Sequence, residues 1–334
     1  MITPMKQIDY IIGINDQNRR LDRILKKAFP LRSPGDLYKA LRKGLILVNG
    51  KKAGAETRLT EGDRLTFKGI LAEELSIETG SSFPVCSPPQ TLPVVWENGD
   101  LICLNKPRGQ LVHGPDSLEV QVRAYLAAQI EESLSFTPGP LHRLDRNTTG
   151  LIMFSRSLRG AQVFTEKLRN RRLVKLYLAV LEGLLTEPQL WEDPLLRREG
   201  VTTRDPREGS PAKTELSPLL SDSHLSLAII RIHTGKPHQI RAQAAHHGFP
   251  LAGDIKYGGS PKPGGFRLHA WRLLDSEAPP LFPPLTAAPP SGFFDLFRDG
   301  LTPRERETVL NGKLSAVAAE GFLFPPLGKG FSGE

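Results

Sequence analysis

The sequence predicts an α+β protein in two parts, a small basic α+β unit followed by a larger mixed region of strands and helices. Three observations predict it. Apolar residues switch along the chain between helical spacing and strand-like runs. Residues 78–93, ETGSSFPVCSPPQTLP, are rich in Ser and Pro and read as a linker. The length of 334 residues also exceeds what one typical core organises. The reading gives an N-terminal domain over 14–77, the linker over 78–93, a larger domain over 94–300 and a C-terminal tail over 301–334.

In the N-terminal part, Leu21, Ile24, Leu25 and Ala28 fall at helical spacing. A second helix opens at Ser33-Pro34, with Ser33 as cap, Pro34 in the first helical position and Asp36 where a capping box wants an acid. Leu37, Tyr38 and Leu41 give it an apolar face, Lys39, Arg42 and Lys43 lie on the other side, and Gly44 ends it. Leu45 to Val48 reads as a strand, Asn49-Gly50 as a hairpin turn before Lys51-Lys52, and a further strand follows Gly62-Asp63.

In the larger part, Leu101 to Leu104, Leu151 to Phe154 and the Leu225, Leu227, Ile229 alternation read as strands. Leu118 to Ile130, Arg156 to Arg171 and Pro237 to His247 read as helices, the last stopped by Gly248. Residues 192–213, rich in charge, Gly and Pro, read as a loop. The stretch from Ser276 is Pro-rich, with a helix expected near Phe293 to Phe297.

Charge is segregated. Of 44 basic and 36 acidic residues, 14 and 5 lie between Arg19 and Lys68, a local net of +9, while the remainder of the chain nets −1. Such a concentrated positive field suits a polyanion partner; its bland counterpart is a solvated basic face. Hydrophobic residues make up 39% and charged residues 24%, as in ordinary soluble proteins. No apolar run approaches the ~20 residues of a membrane-spanning helix, and the N-terminal stretch lacks the pattern of a signal peptide, so a cytoplasmic location is expected. Two cysteines, Cys86 and Cys103, support neither a disulfide framework nor a cysteine zinc site. His233, His238, His246 and His247 cluster in sequence, but their spacings fit no common ligand pattern on one helix face, and no metal is expected.

The string that carries chemistry is Leu141-His142-Arg143-Leu144-Asp145-Arg146-Asn147-Thr148-Thr149-Gly150, just ahead of an apolar strand. An acid between Arg143 and Arg146, in a loop stiffened by hydroxyls and closed by Gly150, is placed for a pocket floor, and the flanking guanidinium groups would favour its ionised form. An ionised carboxylate serves nucleophilic or base chemistry, although a loop aspartate is more commonly a turn or capping residue.

Two family resemblances bear on this. RRLDRILKKAFPLRSPGDLYKALRKGLILVNGKKAGAETRLTEGDRL resembles the S-four type of RNA-binding domain found in a ribosomal protein and several RNA-modifying enzymes. HRLDRNTTG resembles the H-R-L-D-x-x-T-S-G signature of RluA-type pseudouridine synthases, with Thr149 in place of the usual Ser. In family order, Lys106-Pro107-Arg108-Gly109 resembles K-P-x-G, and Lys175 to Val180 resembles K-x-Y-x-A. IHTGKPHQIRAQAAHHGFPLAGDIKYGG resembles T-G-R-T-H-Q-I-R followed by H-x-G-x-P-L-x-G-D, with Lys236, Pro237 and Gln243 as departures. Pro237 is expected in the first turn of the helix, where it preserves the start.

The resemblance implies a central mixed, mostly antiparallel sheet with flanking helices and a catalytic cleft. It implies Asp145 as nucleophile, Tyr177 packed on the target uracil and assisting proton transfer, and Arg241 paired with the aspartate. RNA contacts are expected at Arg20, Arg23, Lys39, Arg42, Lys43, Lys51, Lys52 and Arg143. It implies an isomerase that acts as a monomer on RNA, ribosomal RNA of the large subunit first and transfer RNA second, with no cofactor and no membrane association. Two other readings stand beside it. A non-catalytic RNA-binding factor on the same fold would be favoured by loss of Asp145, Tyr177 or Arg241, and all three are present. A glycosidase would want a second carboxylate of comparable placement, and no second acidic motif stands out.

Overall fold

The computed structural model describes residues 6–69, 71–74 and 92–297. Most of the expected linker and all of the expected tail over 301–334 lie outside the described residues. The chain forms two compact units. The first takes the described residues up to Cys103 together with 112–142 and 153–165; the second takes 104–111, 143–152 and the described residues from Glu166 onward.

In the first unit, β1 (Gln7–Ile11), α1 (Leu21–Ala28), α2 (Pro34–Lys43), β2 (Ile46–Val48) and β3 (Arg64–Lys68) follow in order. The three strands pair antiparallel in the order β1-β3-β2. Leu21, Ile24, Leu25 and Ala28 are the buried face of α1, as their spacing requires. They pack with Phe29, Leu37, Leu41, Ile46 and Phe67 into one core that also takes in Leu134. The Ser33 hydroxyl accepts the Asp36 N–H at 3.2 Å and donates to the Asp36 carboxylate at 2.7 Å, which starts α2 at Pro34. Asn49 and Gly50 both have positive φ, as a tight hairpin turn demands. The hairpin itself stops at one Val48–Lys51 bridge, because β2 takes β3 as its ladder partner. Asp16, fully buried, accepts from the Ser133 hydroxyl, the Leu134 N–H and the Ser135 hydroxyl. Residues 133–135 are thereby knitted to the N-terminal core. The unit also contains β4 (Val94–Glu97), the start of β5 (Leu101–Lys106), α3 (Leu118–Leu126), the end of β6 (Thr149–Ser155) and most of α4 (Leu158–Arg169).

The second unit is built on a sheet whose strands are β6, β7 (Leu173–Glu182), β8 (Gln189–Arg198), β9 (Val201–Arg204), β10 (Ser210–Ser221), β11 (Leu225–Ile232), β12 (Leu268–Asp275) and β13 (Leu285–Thr286), with α5 (Gln239–His246). The order is β6-β12-β7-β11-β10-β8-β9, with β13 on β12. β6 and β12 are parallel and their neighbours antiparallel, so the sheet is mixed and mostly antiparallel as expected. Leu176, Leu178 and Val180 of β7 pack with Leu227, Ile229, Trp271, Phe293 and Phe297 on one face. Alternation sends Lys175 and Tyr177 to the other.

Three expectations are corrected. Residues 192–213 are mostly strand, in β8, β9 and the start of β10, joined by two short turns, and not a loop. Trp191, Asp193 and Leu195 turn inward on β8 while charged residues turn outward, and Glu199-Gly200, both at positive φ, close a two-residue hairpin to β9. The charge and glycine that suggested a loop are the outer face and the turn of a ladder. Second, α5 starts at Gln239, not Pro237, because His238 sits in the left-handed region at φ 52°. Pro237 therefore lies in the approach to the helix. Third, Phe293 to Phe297 is a chain of turns rather than a helix, and its two terminal phenylalanines serve as plugs in the β7–β11 core.

The cap on α2 gives a direct test. Ser33→Ala removes both hydrogen bonds and should cost about 1 kcal/mol of stability in the N-terminal unit, with Ser33→Thr recovering most of it. Chemical denaturation of the three proteins checks this.

Candidate active site

The loop bearing Asp145 is fastened from both ends. On one side is the Lys106-Pro107-Arg108-Gly109 turn. Lys106 is fully buried and donates to the Pro107 and Arg146 carbonyls at 3.0 and 2.8 Å. The Gly109 N–H donates to the Arg146 carbonyl, and Arg146 Nε donates back to the Gly109 carbonyl, each at 3.0 Å. Burial pushes the Lys106 amine down to about 8, against the opposing pull of Asp145. On the other side, Thr149 and Gly150 enter β6 opposite His269 and Ala270 of β12. Gly150 has φ 105°, and a Cβ there would lie 2.2 Å from the Ala270 carbonyl oxygen, so no side chain fits.

His269 secures this side. It is fully buried, lies 2.8 Å from the Thr149 hydroxyl through Nδ1, and meets the Ala287 carbonyl at 3.0 Å through Nε2. The carbonyl only accepts, so Nε2 carries the proton and the Thr149 hydroxyl donates to Nδ1. Burial pushes this imidazole down to about 4.

Arg241, on α5, reaches Asp145 Oδ2 through Nη1 at 3.3 Å. The expected pairing forms, but the planar fork of the guanidinium goes elsewhere. Nε and Nη2 bind the two oxygens of Asp254 at 2.6 and 2.7 Å. The guanidinium is also held between two rings, 4.7 Å from the Tyr257 centroid and 4.5 Å from that of Phe266. Burial works against its charge, and the two carboxylates more than offset this. Asp145 keeps 15% of its side-chain surface open and Asp254 only 2%.

His238 lies on the other edge of Asp145, with Nε2 3.8 Å from Oδ1, beyond hydrogen-bond range. Its Nδ1 is 2.7 Å from the Tyr257 hydroxyl, which itself accepts the Thr202 N–H at 3.0 Å. That partner set has the phenol donating to Nδ1 and the remaining imidazole proton on Nε2, toward Asp145. Burial pushes the His238 pKa down, with Asp145 opposing. Tyr177 is buried on β7, directly opposite Ile230 and Ala270. Burial and then the Asp145 charge push its phenol up, so it stays protonated at neutral pH.

Asp145, Tyr177 and Arg241 thus converge, although they are far apart in sequence. The flanking arginines do not take the part expected of them. Arg146 is engaged on Gly109 and Arg143 is exposed, while the guanidinium on Asp145 comes from Arg241. Sequence reasoning gave no role to Asp254, Tyr257, His238, Phe266 or Lys106. Asp254 and Tyr257 sit in the quoted GDIKYGG string, which was their one signal. Of the expected RNA contacts, Arg23, Lys39, Arg42, Lys43, Lys51 and Lys52 are exposed. Arg20 is tied to Asp22 and Glu56 at 2.8 and 3.0 Å. Arg20, Arg23, Lys26 and Tyr38 line a groove between α1 and α2. Asp193, His246 and His247 bring donor atoms within 4.8 Å of one another. Arg204 and Gln243 already balance that carboxylate, and His247 is stacked on Trp191.

Residues 100–246 match the family model described as RNA pseudouridylate synthase, and residues 19–65 match the S4 domain. A Bacillus subtilis protein named "Uncharacterized RNA pseudouridine synthase YlyB" is 28% identical over 76% of this chain and 84% of its own length. The ribosomal large subunit pseudouridine synthase D of Escherichia coli K12 is 29% identical over 77% of this chain and 78% of its own. Among solved structures, human RNA pseudouridylate synthase domain containing 4 superposes with a TM-score of 0.51 at 21% identity, covering 60% of this chain and 89% of its own, a likeness of fold. The chain thus carries an RNA pseudouridylate synthase domain over residues 100–246 and an S4 domain over residues 19–65.

The His269 geometry carries a pH prediction. A histidine free in the unfolded chain titrates near 6.5, and the folded one near 4. Between these values the unfolded state binds the extra proton, so stability is full above pH 6.5 and falls as pH drops, by about 1.4 kcal/mol per unit. Denaturation at pH 7 and pH 5 should show that difference in the wild type and a smaller one in His269→Gln.

Proposed function

We propose that this protein isomerises uridine to pseudouridine in ribosomal RNA of the large subunit, with Asp145 as nucleophile. The observation that carries the proposal is the Asp145 carboxylate, partly open, held 3.3 Å from a guanidinium that is itself locked on a second carboxylate. The names of the relatives that act on large-subunit ribosomal RNA support the substrate. A cytoplasmic setting and action as a single chain go with this reading; among the described residues no helix is long and apolar enough to cross a membrane.

In this mechanism the carboxylate attacks, the bond from ribose to the ring nitrogen breaks, the base turns, and ring carbon five bonds to the ribose carbon as the carboxylate leaves. Carbon five then gives up its proton to solvent, and the freed ring nitrogen takes one up. One hard step becomes two easier ones. Atoms are conserved and no electrons enter or leave, so Asp145, Arg241 and Tyr177 suffice in kind. Arg241 holds the carboxylate in one orientation. The target base must leave its stack at a cost of a few kcal/mol, and the Tyr177 ring offers a surface that offsets part of it, stacking being worth ~1–3 kcal/mol per base. A protonated phenol cannot act as a base in that state, which limits Tyr177 to stacking and proton donation.

The decisive substitution is Asp145→Asn, which keeps shape and removes the nucleophilic charge. On ribosomal RNA labelled with tritium at carbon five of uridine, the wild type should release tritium and yield a carbon-linked nucleoside. Asp145→Asn and Asp145→Ala should do neither while binding RNA within a few-fold of wild type. Turnover in either variant would sink the assignment.

Long-range attraction falls to the basic N-terminal domain. Replacing Lys39, Arg42, Lys43, Lys51 and Lys52 by Gln is a cleaner probe than deleting the domain, because deletion strips Leu134 and residues 133–135 of their packing. If each of the five neutralises one phosphate, they account for about 10²-fold in affinity lost between 50 and 200 mM salt. The five-fold variant should bind more weakly, with a shallower slope against log salt, and still turn over at saturating RNA. An unchanged slope would move the phosphate contacts elsewhere.

A further inference from the structure

Lys175 is a half-buried lysine whose ammonium makes no hydrogen bond or ion pair with any described residue. The other recessed lysine of the site region, Lys106, spends its protons on two carbonyls. Lys175 has no such outlet. Directly opposite it on the neighbouring strands stand Ile232 of β11 and Leu273 of β12, both apolar. Burial alone pushes its amine down to about 8, with no carboxylate pulling the other way. An ammonium carries three donors, and withdrawing it in part from water without a protein partner costs stability. A chain that packed only for stability would place a Met or Leu between Ile232 and Leu273.

The position tells where its partner would come from. Lys175 and Tyr177 are two residues apart on β7, so their side chains leave the same face of the sheet. The two positions are separated by two strand rises, roughly 7 Å in all, which is the scale of one nucleotide. The Lys175 Nζ lies beside the turn after β11, 3.8 Å from where a Cβ on Gly235 would sit. Gly235 is exposed and carries no side chain, so the approach to the ammonium is unobstructed on that side. The turn itself is held firmly: the Thr234 hydroxyl and the Lys236 N–H both bind the Gln239 side chain, at 2.7 and 3.0 Å.

We propose that Lys175 is a phosphodiester-binding residue, one that takes the backbone phosphate of the nucleotide whose base lies against Tyr177, or of its immediate neighbour. The phosphate supplies the missing counter-charge, and the binding energy is released where it can help keep the base out of its stack. The inference rests on the RNA-modifying reading of the site.

The test uses the full-length protein with Lys175→Met and Lys175→Arg, and large-subunit ribosomal RNA labelled at carbon five of uridine. Lys175→Met should melt close to the wild-type temperature, because the ammonium has no partner among the described residues to lose. Its KM should rise several-fold while kcat stays within a few-fold. Its binding slope against log salt should become shallower by about 0.7 to 0.9, the signature of one lost phosphate contact. Lys175→Arg should recover most of the slope. Wild-type KM and slope in Lys175→Met would overturn the proposal. So would a clear drop in melting temperature, which would mean that the ammonium already has an internal partner. If the wild type released no tritium yet Lys175→Met still lost affinity and slope, the catalytic reading would fall and the phosphate site would stand.

Discussion

The second unit is organised around one buried cation. Arg241 carries a single positive charge into a region where a lone ion is costly, and two carboxylates and two aromatic rings meet it there. Each contact comes from a different place: the loop before β6, the Asp254 turn, Tyr257 and Phe266. Fixing the guanidinium therefore fixes their mutual positions. Phe266 is fastened again from behind, since Arg108 donates both terminal nitrogens to its carbonyl at 2.7 Å.

The division of labour between the two carboxylates has a chemical consequence. A bidentate ion pair is the strong geometry, and it is given to Asp254, which is closed off from solvent. Asp145 receives one longer contact and keeps part of its surface open. On the proposed mechanism that is the useful allotment, because a nucleophile held by both oxygens would be slow to leave its partner. His238 at 3.8 Å adds a neutral imidazole proton within a small movement of the other oxygen.

The rest of the second unit positions this centre through backbone rather than charge. Lys106 and the Gly109–Arg146 exchange pin the loop at its start. The Thr149–His269–Ala287 relay and the close approach of Gly150 to Ala270 pin it at its end. Selection acting on such a loop reads as a run of small, hydroxylated and glycine residues, which is how 147–150 is written. The first unit holds its own core around α1, α2 and Leu134 and displays its lysines outward.

The sequence by itself determined the parts whose cause is local. The Ser33 cap, the buried spacing of α1, the Asn49-Gly50 turn and the segregation of charge are written in neighbouring residues, and they stand in the structure as read. Asp145, Tyr177 and Arg241 could be picked out because the strings around them are distinctive, and the structure brings the three together. What only the tertiary structure decided depends on residues distant in sequence. The fork of Arg241 goes to Asp254, because direction in space, not order in the chain, selects a partner. The charged stretch 192–213 becomes a hairpin and strand because an outer sheet face tolerates charge that local composition cannot tell from a loop. Pro237 lies ahead of α5 because His238 adopts a left-handed turn bound to Tyr257. Lys175 has apolar opposite numbers, Ile232 and Leu273, which only the pairing of three strands discloses. A residue's register is a property of three strands at once, and no single strand records it.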